Sequence, residues 1–158
     1  MTGQRATMRD EAAAIHSQIM SFTLKATLAR YTPLFYCERT MVIESVHVRT
    51  EALDTNTAAL TGNLAYAADA VALSTNTDIT GTVPLGSGNG AAATVQTATL
   101  LPSTSGVVPT ENVVAGEKNA SGSTAATKGR MVLFETSAAP DASLGPVTIT
   151  LRVTTIQH

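Results

Sequence analysis

The chain has no tryptophan, a single cysteine (Cys37) and only six aromatic rings, three Tyr and three Phe, in 158 residues. So few rings leave little surface on which nucleic-acid bases could stack. Charge is scarce as well: 14% of residues are Asp, Glu, Lys or Arg, against about 25% in an average soluble domain. The formal net charge is −2 and the pI is near 5.9, whereas a nucleic-acid binder needs a basic face to neutralise phosphates. One cysteine excludes an internal disulfide. No run reaches the 18 or so apolar residues that a membrane-spanning helix requires. Arg9, Asp10 and Glu11 interrupt the stretch where a signal peptide would be apolar. The expectation is a chain that folds in a cytoplasm and binds neither nucleic acid nor membrane.

Thr and Ala are abundant instead, together 51 of the 158 residues. Thr is β-branched and favours strands, and its hydroxyl keeps an exposed face polar without charge. At 158 residues the chain is long enough for one domain with a real core and a short appendage.

Hydrophobic spacing divides the chain at residue 20. Met8, Ala12, Ile15 and Ile19 recur at helical spacing, which predicts a short amphipathic helix near residues 8–20. From Ser21 the period becomes two: Phe22, Leu24, Ala26 and Leu28 alternate with polar residues. Residues 41–48 read as a strand with Val42, Val46 and Val48 on one face and Ser45, His47 and Arg49 on the other. Asp54-Thr55-Asn56-Thr57 is a turn signal, and further strands are expected over 58–67, 94–101, 112–115 and 130–136. The last strand is the clearest: Val147, Ile149, Leu151 and Val153 alternate with Thr148, Thr150, Arg152 and Thr154. About eight short strands predict an all-β fold, an antiparallel β-sandwich or jelly roll over residues 21–158. Residues 1–20 form a partly helical N-terminal arm in this reading.

Several constellations are candidates for chemistry. Gly86-Ser87-Gly88-Asn89-Gly90-Ala91 fits the dinucleotide-binding spacing, but lacks the preceding buried strand and following helix that the mechanism uses. It reads as a loop tip. His47 would share a strand face with Arg49 and Glu51, which makes a solvated polar row. Asp54/Asn56 and Asn76/Asp78 each offer two side-chain oxygens where calcium takes 6–8 ligands, so turn chemistry is the expectation. Cys37 has no adjacent His to activate it and reads as a buried thiol. No catalytic residue, metal or cofactor is expected. The arm is the asymmetric feature: Met8, Ile15, Ile19 and Phe22 could lie on a partner protein with Arg5 and Arg9 making acidic contacts, or the arm could fold back over its own domain.

The polar arm, the 22–28 and 42–48 strands, the Asp54-Thr-Asn-Thr turn, the Thr-rich 66–80 stretch and the closing pair 130–136 and 146–153 together resemble the small virion proteins of tailed bacteriophages. The resemblance is to capsid decoration, or cement, proteins in particular, and rests on composition and strand order from Phe22 to Ile156. It implies a non-enzymatic β-sandwich on the outer surface of the virion, made in the bacterial host cytoplasm. It also implies a homotrimer that clamps neighbouring copies of the major capsid protein. A head–tail joining or fibre-anchoring protein is the alternative. A carbohydrate-binding sandwich is the third reading, with Tyr31, Tyr36 and Tyr66 as its candidate rings.

Overall fold

The structure is a computed structural model and describes residues 16–25, 28–38, 40–68, 71–88, 90, 92–108 and 129–155. Within them the chain forms ten strands: β1 (His16–Leu24), β2 (Tyr31–Cys37), β3 (Met41–Thr50), β4 (Thr61–Ala68), β5 (Asn76–Asp78), β6 (Val83–Pro84), β7 (Val95–Ala98), β8 (Val107–Val108), β9 (Arg130–Thr136) and β10 (Val147–Thr155). They make two antiparallel sheets. The first runs β1-β10-β3-β7 with β8 beside β3, and the second runs β2-β9-β4-β5 with β6 beside β4. Each of β1/β2, β3/β4 and β9/β10 is a pair of sequence neighbours split between the two sheets.

One hydrophobic core takes residues from both sheets. Ile43, Val46, Val48, Ile149 and Leu151 come from the first, and Leu64, Val132 and Phe134 from the second. The alternation expected along β10 holds, with Val147, Ile149, Leu151 and Val153 all buried. Leu60, Leu64 and Tyr66, at even positions in the chain, also point to the core. A smaller cluster of Ala65, Ala67 and Leu133 lies on the other side of the second sheet, beneath Tyr31 and Leu73.

The helix expected over residues 8–20 is corrected by the structure. Residues 16–20 are the first half of β1, and residues 8–15 lie outside the described residues. The nine residues of β1 pair one-to-one with β10, with Met20 opposite Leu151, Phe22 opposite Ile149 and Leu24 opposite Val147. That ladder places Met20, Phe22 and Leu24 against the core. A strand partner near the far end of the chain outweighs a helical spacing seen only locally, because isolated short helices are marginal in water. The expected strand at 112–115 lies outside the described residues.

The face assignment of β3 is also corrected at one end. Arg152 pairs with Ser45 and Val153 with Ile43, so Glu44 is an extra residue, a β-bulge. Val46, Val48 and Thr50 are buried on one side of the bulge, but beyond it Ile43 and Met41 turn inward instead of Val42. Gly106 supports this corner. Its φ is +70° and an added Cβ would overlap the Ile43 carbonyl oxygen, so only glycine fits.

Candidate docking surface

The first sheet turns a broad polar face outward. Across β1, β10 and β3 the residues of this face come in rows: Thr23, Thr148 and Arg49; Ser21, Thr150 and His47; Ile19, Arg152 and Ser45. Period-two alternation puts them there, since their neighbours along each strand fill the core. The hydroxyls meet across strands, Ser21 Oγ with Thr150 Oγ1 at 3.4 Å and Thr23 Oγ1 with Thr148 Oγ1 at 3.3 Å. Arg152 Nε lies 2.9 Å from Glu44 Oε2 and donates to Ser17 Oγ at 3.3 Å, while Thr154 Oγ1 donates to Glu44 Oε1 at 2.7 Å. The bulge thus carries the glutamate that ties β3 to β10 and, through Arg152, to β1.

His47, Arg49 and Glu51 are solvated neighbours. His47 Nδ1 is 3.2 Å from Thr97 Oγ1, and Arg49 Nη2 is 3.4 Å from Glu51 Oε1. Both members of that ion pair are about half exposed, a setting in which pairs contribute roughly 0–1 kcal/mol. Two large apolar side chains interrupt the polar face, Ile19 at 75% exposure and Val95 at 65%.

The residues expected to contact a partner are dispersed by this geometry. Ile19 stands out on the polar face, as a contact residue would. Phe22 points the opposite way and stacks on Phe35, with ring centroids 5.6 Å apart and planes within 9°. Its ring serves the chain's own core. Arg5, Met8, Arg9 and Ile15 lie outside the described residues. The three tyrosines do not form one surface: Tyr66 packs on the main core, Tyr31 on the small cluster beneath Arg30, and Tyr36 is 42% exposed.

At one end of the sheets, the Asp54 side chain clasps two loops. It is fully buried. Its Oδ1 accepts the N–H of Asn56 at 3.0 Å and of Thr57 at 2.7 Å, and its Oδ2 accepts the N–H of Asp141 at 2.7 Å. This is the side-chain turn chemistry that Asp-Thr-Asn-Thr announces, extended to a loop the sequence did not connect with it. Asp141 in turn accepts the Ser143 N–H at 2.9 Å. That bond, with help from the Asn56 side chain, holds the Asp141 carboxyl below its ordinary range. A depressed pKa contributes stability above the unfolded-state value, near pH 3.9, which is lost as pH falls through the lower folded value. Asp141→Asn is therefore expected to lower the melting temperature near neutrality and to make its decline in acid shallower, so that the two proteins converge at low pH. Melting curves followed by circular dichroism down to about pH 3 check this; an acid limb identical to that of the unaltered chain refutes it.

Gly86, Ser87 and Gly88 form a packing element. The backbone N–H groups of Gly86, Ser87 and Gly88 donate to Leu60, Asp54 and Ala58 carbonyls at 2.9 Å each. They are thus committed to the chain, where a phosphate cradle would hold its N–H groups open. In the second calcium candidate, Asn76 Nδ2 donates to Leu73 O and to Glu135 Oε2, and Asp78 Oδ1 accepts from Asn63 Nδ2. Among the described residues no group of three or more His, Cys, Asp or Glu side chains is placed to hold a metal ion. Cys37 is buried at the end of β2.

Comparison of the chain with protein-family models, with curated proteins and with solved structures finds no match.

Proposed function

We propose that the protein is a structural component of a phage virion: a jelly-roll β-sandwich that docks on the outside of the capsid and bridges neighbouring capsomers. The strand order supports the jelly-roll reading. When the short paired strands are counted with their neighbours, one sheet holds the first, eighth, third and sixth strands, and the other the second, seventh, fourth and fifth. That alternation between sheets is the arrangement of jelly rolls, used in capsid and lectin domains among others.

Fold alone does not carry function. The observation that does is the outer face of β1-β10-β3. It is wide, built largely from hydroxyls already bonded to one another, and entered at its edge by the strand that follows residues 1–15. The charges on this face are paired, Arg49 with Glu51 and Arg152 with Glu44, which keeps long-range repulsion small when many copies crowd one shell. Many modest contacts on a lattice add through effective concentration, and a protein that binds the mature shell preferentially stabilises it by linkage.

The test is co-sedimentation with capsids from particles that lack the protein, using the whole chain and a chain beginning at His16. Truncation after residue 20 is unsuitable, because it would cut β1 in half. The whole chain is expected to pellet with mature shells and raise their disruption temperature. The shortened chain should melt as before and bind at least about tenfold more weakly, roughly 1.4 kcal/mol. Equal binding by the two chains removes the arm from the docking role. Failure of the whole chain to bind any shell ends the decoration reading.

A further inference from the structure

We infer that β1 is a self-pairing edge: two copies of the chain join by antiparallel pairing of their His16–Leu24 strands about a two-fold axis, making one continuous sheet. β1 pairs with β10 on one side, and among the described residues no strand pairs with its other side. An uncovered edge presents a row of backbone donors and acceptors that templates another strand. Natural edges are usually blunted by charge, proline, bulges or shortness. Among the described residues the other edges follow that rule. β2 carries the exposed Pro33 and a register shift between Pro33 and Phe35. β5 is three residues long and includes Asp78, and β7 has four residues. β1 alone is nine residues long, pairs with β10 without a register shift, and contains no Asp, Glu, Lys, Arg or Pro.

The occupant follows from chemistry. A two-fold axis sets each strand antiparallel to its own copy, so any charged residue near the centre meets its like. β1 has none. Centred on Met20, the pairing sets Ile19 opposite Ser21 and Ser17 opposite Thr23 on the polar face. On the core side it sets Gln18 opposite Phe22 and Met20 opposite Met20 of the second copy. Met20, Phe22 and Leu24 are only half-buried within one copy, and this pairing continues their apolar row. An open groove of about 280 Å³ at the Leu24 end of this row, lined by Leu24, Lys25, Leu28, Tyr31 and Pro33, lies next to the start of the second copy's strand. A cyclic trimer joined through sheet edges would instead need β1 to meet a different edge of the next copy. Among the described residues, those edges are short or interrupted.

Light scattering after size exclusion, over a range of concentrations, reads the result directly. The whole chain is expected to move from 16.3 kDa toward about 33 kDa as concentration rises. Ile19→Lys with Ser21→Lys puts ammonium groups directly opposite one another across the axis. It should raise the dissociation constant at least about tenfold while the monomer stays folded, with a modest fall in its melting temperature because the ammonium at position 19 stands opposite Arg152 of its own chain. Thr97→Lys on β7, the opposite edge of the same sheet, should leave the dimer intact. Amide exchange of residues 16–24 should slow with concentration in the unaltered chain and not in the double variant. A chain that stays monomeric at every concentration, a mass near 49 kDa, or a dimer that survives the double substitution overturns the inference. The inference is independent of the capsid reading. A monomer that still binds shells defeats only the pairing, and a dimer that ignores shells defeats only the capsid role.

Discussion

Phe134→Ala is expected to destabilise the protein by about 3–5 kcal/mol, lowering its melting temperature by roughly 6–20 °C for a domain of this size. Phe134 is 1% exposed and is the largest of the fully buried side chains. It lies on β9 between Thr32 of β2 and Leu64 of β4, so its ring fills the middle of the second sheet's core face. Removing it forfeits the transfer free energy of the ring and leaves a cavity that two hydrogen-bonded sheets cannot close. Gly62 is shaped to the same ring: an added Cβ there would overlap Phe134 Cζ and stand 2.8 Å from Leu85 Cδ1. Gly62→Ala should therefore destabilise by overpacking, typically about 1–3 kcal/mol. The double variant should cost less than the sum of the two, because the new methyl enters space the ring has vacated. Chemical denaturation of the four proteins gives the cycle. Strict additivity would show that the ring does not press on Gly62, and a loss below about 1 kcal/mol for Phe134→Ala would place the ring outside the core.

Asp54→Ala is expected to cost at least about 3 kcal/mol, since three hydrogen bonds to one carboxylate are lost at once and bonds to charged groups contribute about 1.5–3 kcal/mol each. The three donors belong to two separate loops, and the Asp54 main chain also bonds to Leu85 O and Ser87 N. The alanine variant thus leaves a buried junction of polar groups without its acceptor. Asp54→Asn separates the two parts of the clasp. One oxygen can still accept from Asn56 and Thr57, but the amide nitrogen then faces the Asp141 N–H, donor against donor. The asparagine variant should fall between the native protein and alanine. Faster amide exchange is expected at residue 141 in both variants and at 56 and 57 only in alanine. If the two substitutions cost the same, the Asp141 contact is not the separable part of this junction.

Much of the sheet structure is legible in the order of residues, and the exceptions have identifiable causes. β10 is plain because its alternation is unbroken and each apolar residue meets the core, and β9 because a continuous apolar run buries Val132 and Phe134 on one face and Leu133 on the other. The Asp54 turn is plain because Asp, Asn and Thr side chains bond their own backbone locally. β1 misleads because Ile19 continues a helical spacing from Ile15 and Ala12, while Met20, Phe22 and Leu24 already obey a period of two. The bulge at Glu44 is invisible because nothing in Ile43-Glu44-Ser45 marks an extra residue until β10 is laid beside it. Of the residues expected to meet a partner, Ile19 and Phe22 belong to one apolar set by local spacing alone. A strand puts odd and even positions on opposite faces, which sends Ile19 to solvent and Phe22 to Phe35.

By itself the sequence determined the all-β class, the hydroxyl-rich and charge-poor surface, and the core faces of the regular strands. These follow from composition and from spacing within a few residues. Only the tertiary structure decided that β1 is an edge among the described strands, that Asp54 reaches Asp141, and that Glu44 bridges β3 to β10. Each of these is a pairing between segments far apart in the chain. Such contacts form when sheet twist, strand order and loop length bring the segments together, and no local pattern encodes them.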